Sequence, residues 1–67
     1  MKIYLNYDES ALARFVAECI RKQIDNKVTI VNSKKFGLYV IVETYYASIE
    51  LVDEIRACGL KEKKKGE

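Results

Sequence analysis

A chain of 67 residues, 49% hydrophobic and with a formal net charge of +2, describes one small globular domain rather than a disordered segment. No apolar run approaches the ~18 residues a transmembrane helix needs, and the start of the chain lacks the charged-then-apolar layout of a signal peptide, so a cytoplasmic protein without membrane contact is expected. The basic surplus sits in Lys61, Lys63, Lys64 and Lys65, which leaves the chain up to Leu60 close to neutral and gives little support to a strongly basic nucleic-acid binder.

Residues 2–7 alternate, with Ile3 and Leu5 on one side and Lys2, Tyr4 and Asn6 on the other, as a half-buried strand does. Asp8 stands where a helix N-cap belongs, and Glu9 adds a favourable charge to the first turn. The helix is predicted from Glu9 to Ile24. Its apolar stripe is Leu12, Phe15, Val16, Cys19, Ile20 and Ile24 at three-and-four spacing; Arg14, Glu18, Arg21 and Lys22 lie opposite. The stretch from Lys27 to Thr44 then reads as a β-hairpin, with a turn at Asn32-Ser33-Lys34-Lys35.

In the second arm of the hairpin Leu38, Val40 and Val42 share one side, and Tyr39, Ile41 and Glu43 the other. Apolar residues on both sides mark this strand as central. Thr44 or Ser48 caps a second helix, and Tyr45 or Tyr46 is expected to staple its start onto the core. That helix buries Leu51, Val52, Ile55 and Cys58, turns Glu50, Asp53, Glu54 and Arg56 outward, and ends at Gly59 as a left-handed cap. Leu60 is expected to pack back on the helix. Residues 61–67 read as a polar, lysine-rich tail, frayed rather than a short edge strand.

The order β-α-β-β-α predicts a small ferredoxin-like α+β domain over residues 1–60. Its antiparallel sheet has two helices on one side and a doubtful fourth strand at Leu60 to Lys64. Such a sheet leaves its first strand as an edge and its other side uncovered. That side carries Tyr4, Thr29, Val31, Tyr39 and Ile41, more apolar surface than a lone monomer normally exposes.

Chemistry is harder to find. There is no histidine, and Cys19 and Cys58 have no CxxC partner, so neither a metal site nor a dithiol redox pair is expected. Both cysteines fit small core positions. Ser10, Ser33 and Ser48 fall at cap or turn positions, and the three glycines are too scattered for a phosphate loop. Tyr7-Asp8-Glu9-Ser10 does not resemble the glycine- and arginine-bearing loop of acylphosphatases, nor the paired-cysteine loop of heavy-metal-binding domains. No catalytic residue and no cofactor is assigned.

Ile3-Tyr4-Leu5-Asn6-Tyr7 and Lys35-Phe36-Gly37-Leu38-Tyr39-Val40 resemble the two strand motifs of RNA-recognition domains. The resemblance implies base stacking on the open sheet, with Tyr4 at a matching position. In the third strand it implies that Phe36 and Leu38 face outward and Tyr39 inward, opposite to the hairpin alternation. A one-residue slip separates the two registers.

The leading expectation is a non-catalytic protein-interaction module, dimeric or with a heterologous protein partner, acting through Tyr4, Val31, Tyr39 and Ile41 or the edge of the first strand. The alternative is a single-stranded nucleic-acid binder in which Tyr4 and Tyr39 stack bases while Lys2, Lys34 and Lys35 contact phosphates. A small-molecule module with its ligand at a dimer boundary comes third.

Overall fold

The strand that opens the chain gives way to a helix because Asp8 leaves it in an extended conformation, and its carboxylate accepts the Ala11 amide at 3.1 Å. The computed structural model describes residues 1–46 and 48–63. In chain order the elements are β1 (Lys2–Asn6), α1 (Glu9–Lys22), β2 (Lys27–Ser33), β3 (Gly37–Glu43) and α2 (Ile49–Ala57). The result is a small α+β fold in which two helices accompany a three-stranded antiparallel sheet of order β1-β3-β2. β3 is central, as its two apolar sides require: Leu5 lies opposite Val40 on one flank and Ile30 opposite Val40 on the other.

One side of the sheet supplies Leu5, Val40 and Val42 to the core, where they meet Leu12, Phe15 and Cys19 of α1 and Leu51 and Ile55 of α2. Both helices therefore cover the same side, and among the described residues no helix lies over the side bearing Tyr4, Tyr39 and Ile41. Phe15, Val40, Val42 and Leu51 are completely buried.

Both helices end by the same device. Gln23 adopts a left-handed conformation (φ 57°); its amide reaches the Ile20 carbonyl, and the Ile24 amide reaches the Cys19 carbonyl at 2.9 Å. Gly59 (φ 86°) does the same after α2, with Gly59 donating to Arg56 at 3.1 Å and Leu60 to Ile55 at 3.1 Å. In each case the chain reverses and returns an apolar residue, Ile24 or Leu60, to the core. The left-handed residue at Gln23 stops α1 two residues before the expected end at Ile24.

Several expectations change with tertiary context. Val16 and Ile20 belong to the periodic stripe of α1 but lie at the surface, because the core draws on Ala11, Leu12, Phe15 and Cys19 instead. Ser48, not Thr44, caps α2 by accepting the Leu51 amide at 3.2 Å. Tyr45 and Tyr46 pack edge-to-face on each other at 4.9 Å, both exposed, and make no staple. The hairpin turn falls later than expected. β2 runs to Ser33, whose hydroxyl accepts the amides of Lys35 and Phe36, and Gly37 (φ 75°) opens β3.

The largest correction on α2 is Glu54, expected outside and found buried. Its carboxylate takes a 2.7 Å hydrogen bond from the Lys22 ammonium of α1 and faces the Cys58 thiol at 3.7 Å. This bond, chiefly, raises the Lys22 pKa above its ordinary value of 10.5. A raised lysine pKa contributes stability that is complete below the ordinary value and is lost as pH climbs through the raised one. Thermal melts on the alkaline side of 10.5 should therefore show a loss of stability that Glu54→Met removes. The same variant should melt close to the parent at neutral pH, since an apolar side chain of similar volume replaces a carboxylate that burial penalises. Glu54→Ala, which leaves a void, should melt lower.

The chain after Leu60 is not free over its described part. The Asn6 amide donates to the Lys61 carbonyl at 2.9 Å and the Lys63 amide to the Tyr4 carbonyl at 2.8 Å, forming an isolated antiparallel bridge between Leu5 and Glu62. Residues 61–63 thus occupy the outer edge of β1, which alternation had left open. The remainder of the expected tail, 64–67, lies outside the described residues.

Candidate functional site

The uncovered side of the sheet is built in rows by the strand register. Tyr4, Ile41 and Thr29 form one row across β1, β3 and β2, and Asn6, Tyr39 and Val31 form the next. At one end lies a charged row, Lys2, Glu43 and Lys27. The other end is the β2–β3 turn with Lys34, Lys35 and Phe36. The expected interface residues Tyr4, Val31, Tyr39 and Ile41 are therefore brought together on one surface.

Tyr4 and Tyr39 are diagonal neighbours, with ring centroids 6.3 Å apart and planes tilted by 34°. Tyr4 remains 45% exposed, so its ring is presented to solvent rather than packed away. Tyr39 shares this side with Tyr4 while its neighbour Val40 is completely buried. The register is thus the one that hairpin alternation implies. The inward Tyr39 and outward Leu38 implied by the resemblance to RNA-recognition domains do not occur: Leu38 lies on the helix side, at its uncovered end.

The bridge beside β1 adds residues that sequence reasoning assigned to the tail. Leu5 and Glu62 are opposite each other on the helix side, so Lys61 and Lys63 alternate onto the open side. The Lys63 ammonium lies 5.1 Å from the Phe36 ring centre and 5.7 Å from that of Tyr39, and the Lys35 ammonium 5.3 Å from Phe36. These are cation–π distances. An aromatic strip of Tyr4, Tyr39 and Phe36 is therefore interleaved with ammonium groups. The signal for Lys63 was its place in the only sequence segment able to lie beside β1. Register, rather than composition, turns that segment inward over the rings.

Of the lysines proposed from sequence, Lys35 joins this cluster. Lys2 sits at the opposite end of the sheet, about 20 Å away at strand spacing, and Lys34 is exposed at the turn tip. Together Lys2, Lys27, Lys35, Lys61 and Lys63 surround the strip. Among the described strand residues, Glu43 is the acid on this side.

The ionisable groups with shifted pKa lie elsewhere. Burial, above all, pushes the thiols of Cys19 and Cys58 up, which keeps both protonated and poorly nucleophilic. Both are free, with no disulfide between the helices. The Arg21 guanidinium, 2.6 Å from Glu18, holds that carboxyl below its ordinary value on the exposed face of α1. Among the described residues no three His, Cys, Asp or Glu side chains gather as metal ligands, and no helix is long and apolar enough to cross a membrane. No protein-family model, curated protein or solved structure matches the chain.

Proposed function

We propose that the protein is a non-catalytic cytoplasmic module that binds single-stranded nucleic acid on the open side of a ferredoxin-like sheet, with residues 61–63 in the place of the fourth strand. The observation that carries this reading is the Lys63 ammonium set between the rings of Phe36 and Tyr39, with Tyr4 beside them. Bases stack on aromatic faces without regard to sequence, while the lysines around the strip meet phosphates. The roles are Tyr4, Tyr39 and Phe36 as stacking platforms and Lys35, Lys61 and Lys63 as phosphate contacts.

The competing reading, a protein interface made by Tyr4, Val31, Tyr39 and Ile41, shares the same surface. Charge weighs against its homodimeric form. Two copies meeting through this side oppose the lysines at 2, 27, 35, 61 and 63 to the same set, with Glu43 the opposing acid in the strands.

Fluorescence anisotropy with a labelled, mixed-sequence single strand separates the two readings. Affinity should fall steeply from about 50 to 200 mM salt, with a log–log slope of about −2 for roughly three neutralised phosphates. Tyr4→Ala and Tyr39→Ala should each weaken binding by about 1–3 kcal/mol, and Lys63→Ala should flatten the slope by about 0.7. No binding at low salt, or binding indifferent to salt, sinks the nucleic-acid reading and returns the surface to a protein partner.

A further inference from the structure

Residues 61–63 join the sheet on weaker terms than its strands do. Leu60 is buried in the core and Gly59 makes the left-handed turn before it, so the start of the segment is fixed. Beyond that anchor the sequence is Lys61-Glu62-Lys63, which brings no apolar side chain to the core. Among the described residues it meets β1 in an isolated bridge, with one backbone hydrogen bond from Asn6 to Lys61 and one from Lys63 to Tyr4. β1 and β3, by contrast, are in register over five residue pairs and bury Leu5, Val40 and Val42 against the helices.

Backbone pairing at an exposed edge gains little net free energy, because water makes the same hydrogen bonds to the released chain. Fixing three residues costs backbone entropy of the same order. The two nearly cancel, so side-chain contacts decide whether the segment lies down. Lys63 supplies such contacts: its ammonium is 5.1 Å from the Phe36 ring centre and 5.7 Å from that of Tyr39. At an exposed surface that attraction is weak.

We propose that residues 61–63 are a strap that docks on and releases from the edge of β1 in a near-balanced equilibrium, and that a single-stranded nucleic acid on the open side closes it. Docked, the strap sets Lys63 over the rings and Lys61 beside Asn6, where both face the bound strand. Released, it carries both ammonium groups away on a chain hinged at Leu60. Phosphates therefore bind the docked form better, and by linkage their binding shifts the strap toward that form. The same equilibrium lowers the affinity of the free protein, since part of the population lacks two of its phosphate contacts. The identity of the closing ligand rests on the nucleic-acid reading above; the release of the strap in the free protein does not.

Amide hydrogen exchange read by NMR on the full chain, with and without the mixed-sequence strand used for anisotropy, tests both parts. The Asn6 and Lys63 amides report docking, because each donates across the bridge. Leu5 and Val40, opposite each other in β1 and β3, report the sheet. In the free protein Asn6 and Lys63 should be protected at least about tenfold less than Leu5 and Val40. Added strand should slow exchange at Asn6 and Lys63 several-fold.

A second readout leaves every ligand-facing residue in place. Glu62 lies on the helix side of the bridge, opposite Leu5. Glu62→Gly loosens the released chain and Glu62→Thr stiffens it toward an extended form, with the same loss of charge. The glycine variant should bind the strand about fivefold more weakly than the threonine variant. Equal protection of Asn6, Lys63, Leu5 and Val40 in the free protein overturns the strap, whatever the nucleic acid does. Binding in anisotropy without slower exchange at Asn6 and Lys63, or with equal affinity of the two Glu62 variants, overturns the coupling and leaves the nucleic-acid reading standing. No binding in anisotropy overturns both.

Discussion

Phe15→Ala should leave the chain largely unfolded at room temperature. Phe15 is completely buried where α1 meets the sheet and α2. Deleting a buried phenyl ring costs about 3–5 kcal/mol in lost transfer energy and residual cavity. A domain of 67 residues has only about 3–10 kcal/mol in total at ~0.05–0.15 kcal/mol per residue, and the thin core of so short a chain puts it at the low end of that range, where the loss approaches or exceeds what is available. Urea titration followed by circular dichroism reads this directly. Tyr45→Ala is the matched control: it removes an aromatic side chain that is 89% exposed and should shift stability by no more than about 0.5 kcal/mol. A Phe15→Ala variant as stable as Tyr45→Ala would mean that the helix does not pack on the sheet through this residue.

The second large effect is set by strand register. Val40→Asp puts a carboxylate into a position with no exposure and no cationic partner in the surrounding cluster of apolar residues, a penalty of several kcal/mol. It should abolish cooperative unfolding at neutral pH. Tyr39→Asp, one residue away on the same strand, places the same charge on the open side beside Lys63 and should keep the fold. The two variants reverse roles if β3 is slipped by one residue, because a slip exchanges the sides of every residue in the strand. A folded Val40→Asp with an unfolded Tyr39→Asp would therefore overturn the register and, with it, the tyrosine pair on the open face.

Most of the secondary structure was legible because its signals are local. Asp8 caps α1 and Ser48 caps α2 through their own side chains, and Gly59 takes the left-handed turn its missing Cβ favours. Alternation in β3 placed Val40 and Val42 inward and Tyr39 and Ile41 outward, since the period of a strand does not depend on its neighbours. The end of α1 was misplaced for the complementary reason. Gln23 carries no intrinsic preference for a positive φ, and it is the docking of Ile24 on the core that makes the turn favourable.

The site divides along the same line. Tyr4, Val31, Tyr39 and Ile41 could be grouped from alternation alone, because three strands and one side suffice. Phe36 was harder, as its role depends on the turn lying over Lys34–Phe36 instead of beginning at Asn32. Lys63 and Glu54 were assigned to solvent on composition, which treats a charge as exposed unless a partner is in view. Their partners are distant in sequence: Glu54 meets Lys22 across two helices, and Lys63 reaches Tyr39 and Phe36 by pairing beside β1.

By itself, then, the sequence determined the five elements, the central place of β3 and the side of the sheet left uncovered, all from periodicity and capping within a few residues. Only the tertiary structure decided which apolar residues of α1 the core takes, that Glu54 is buried, and that residues 61–63 close the edge of β1 and set Lys63 among the rings. Those outcomes depend on which surfaces meet and on the limited area two short helices can cover. No stretch of chain carries that information alone.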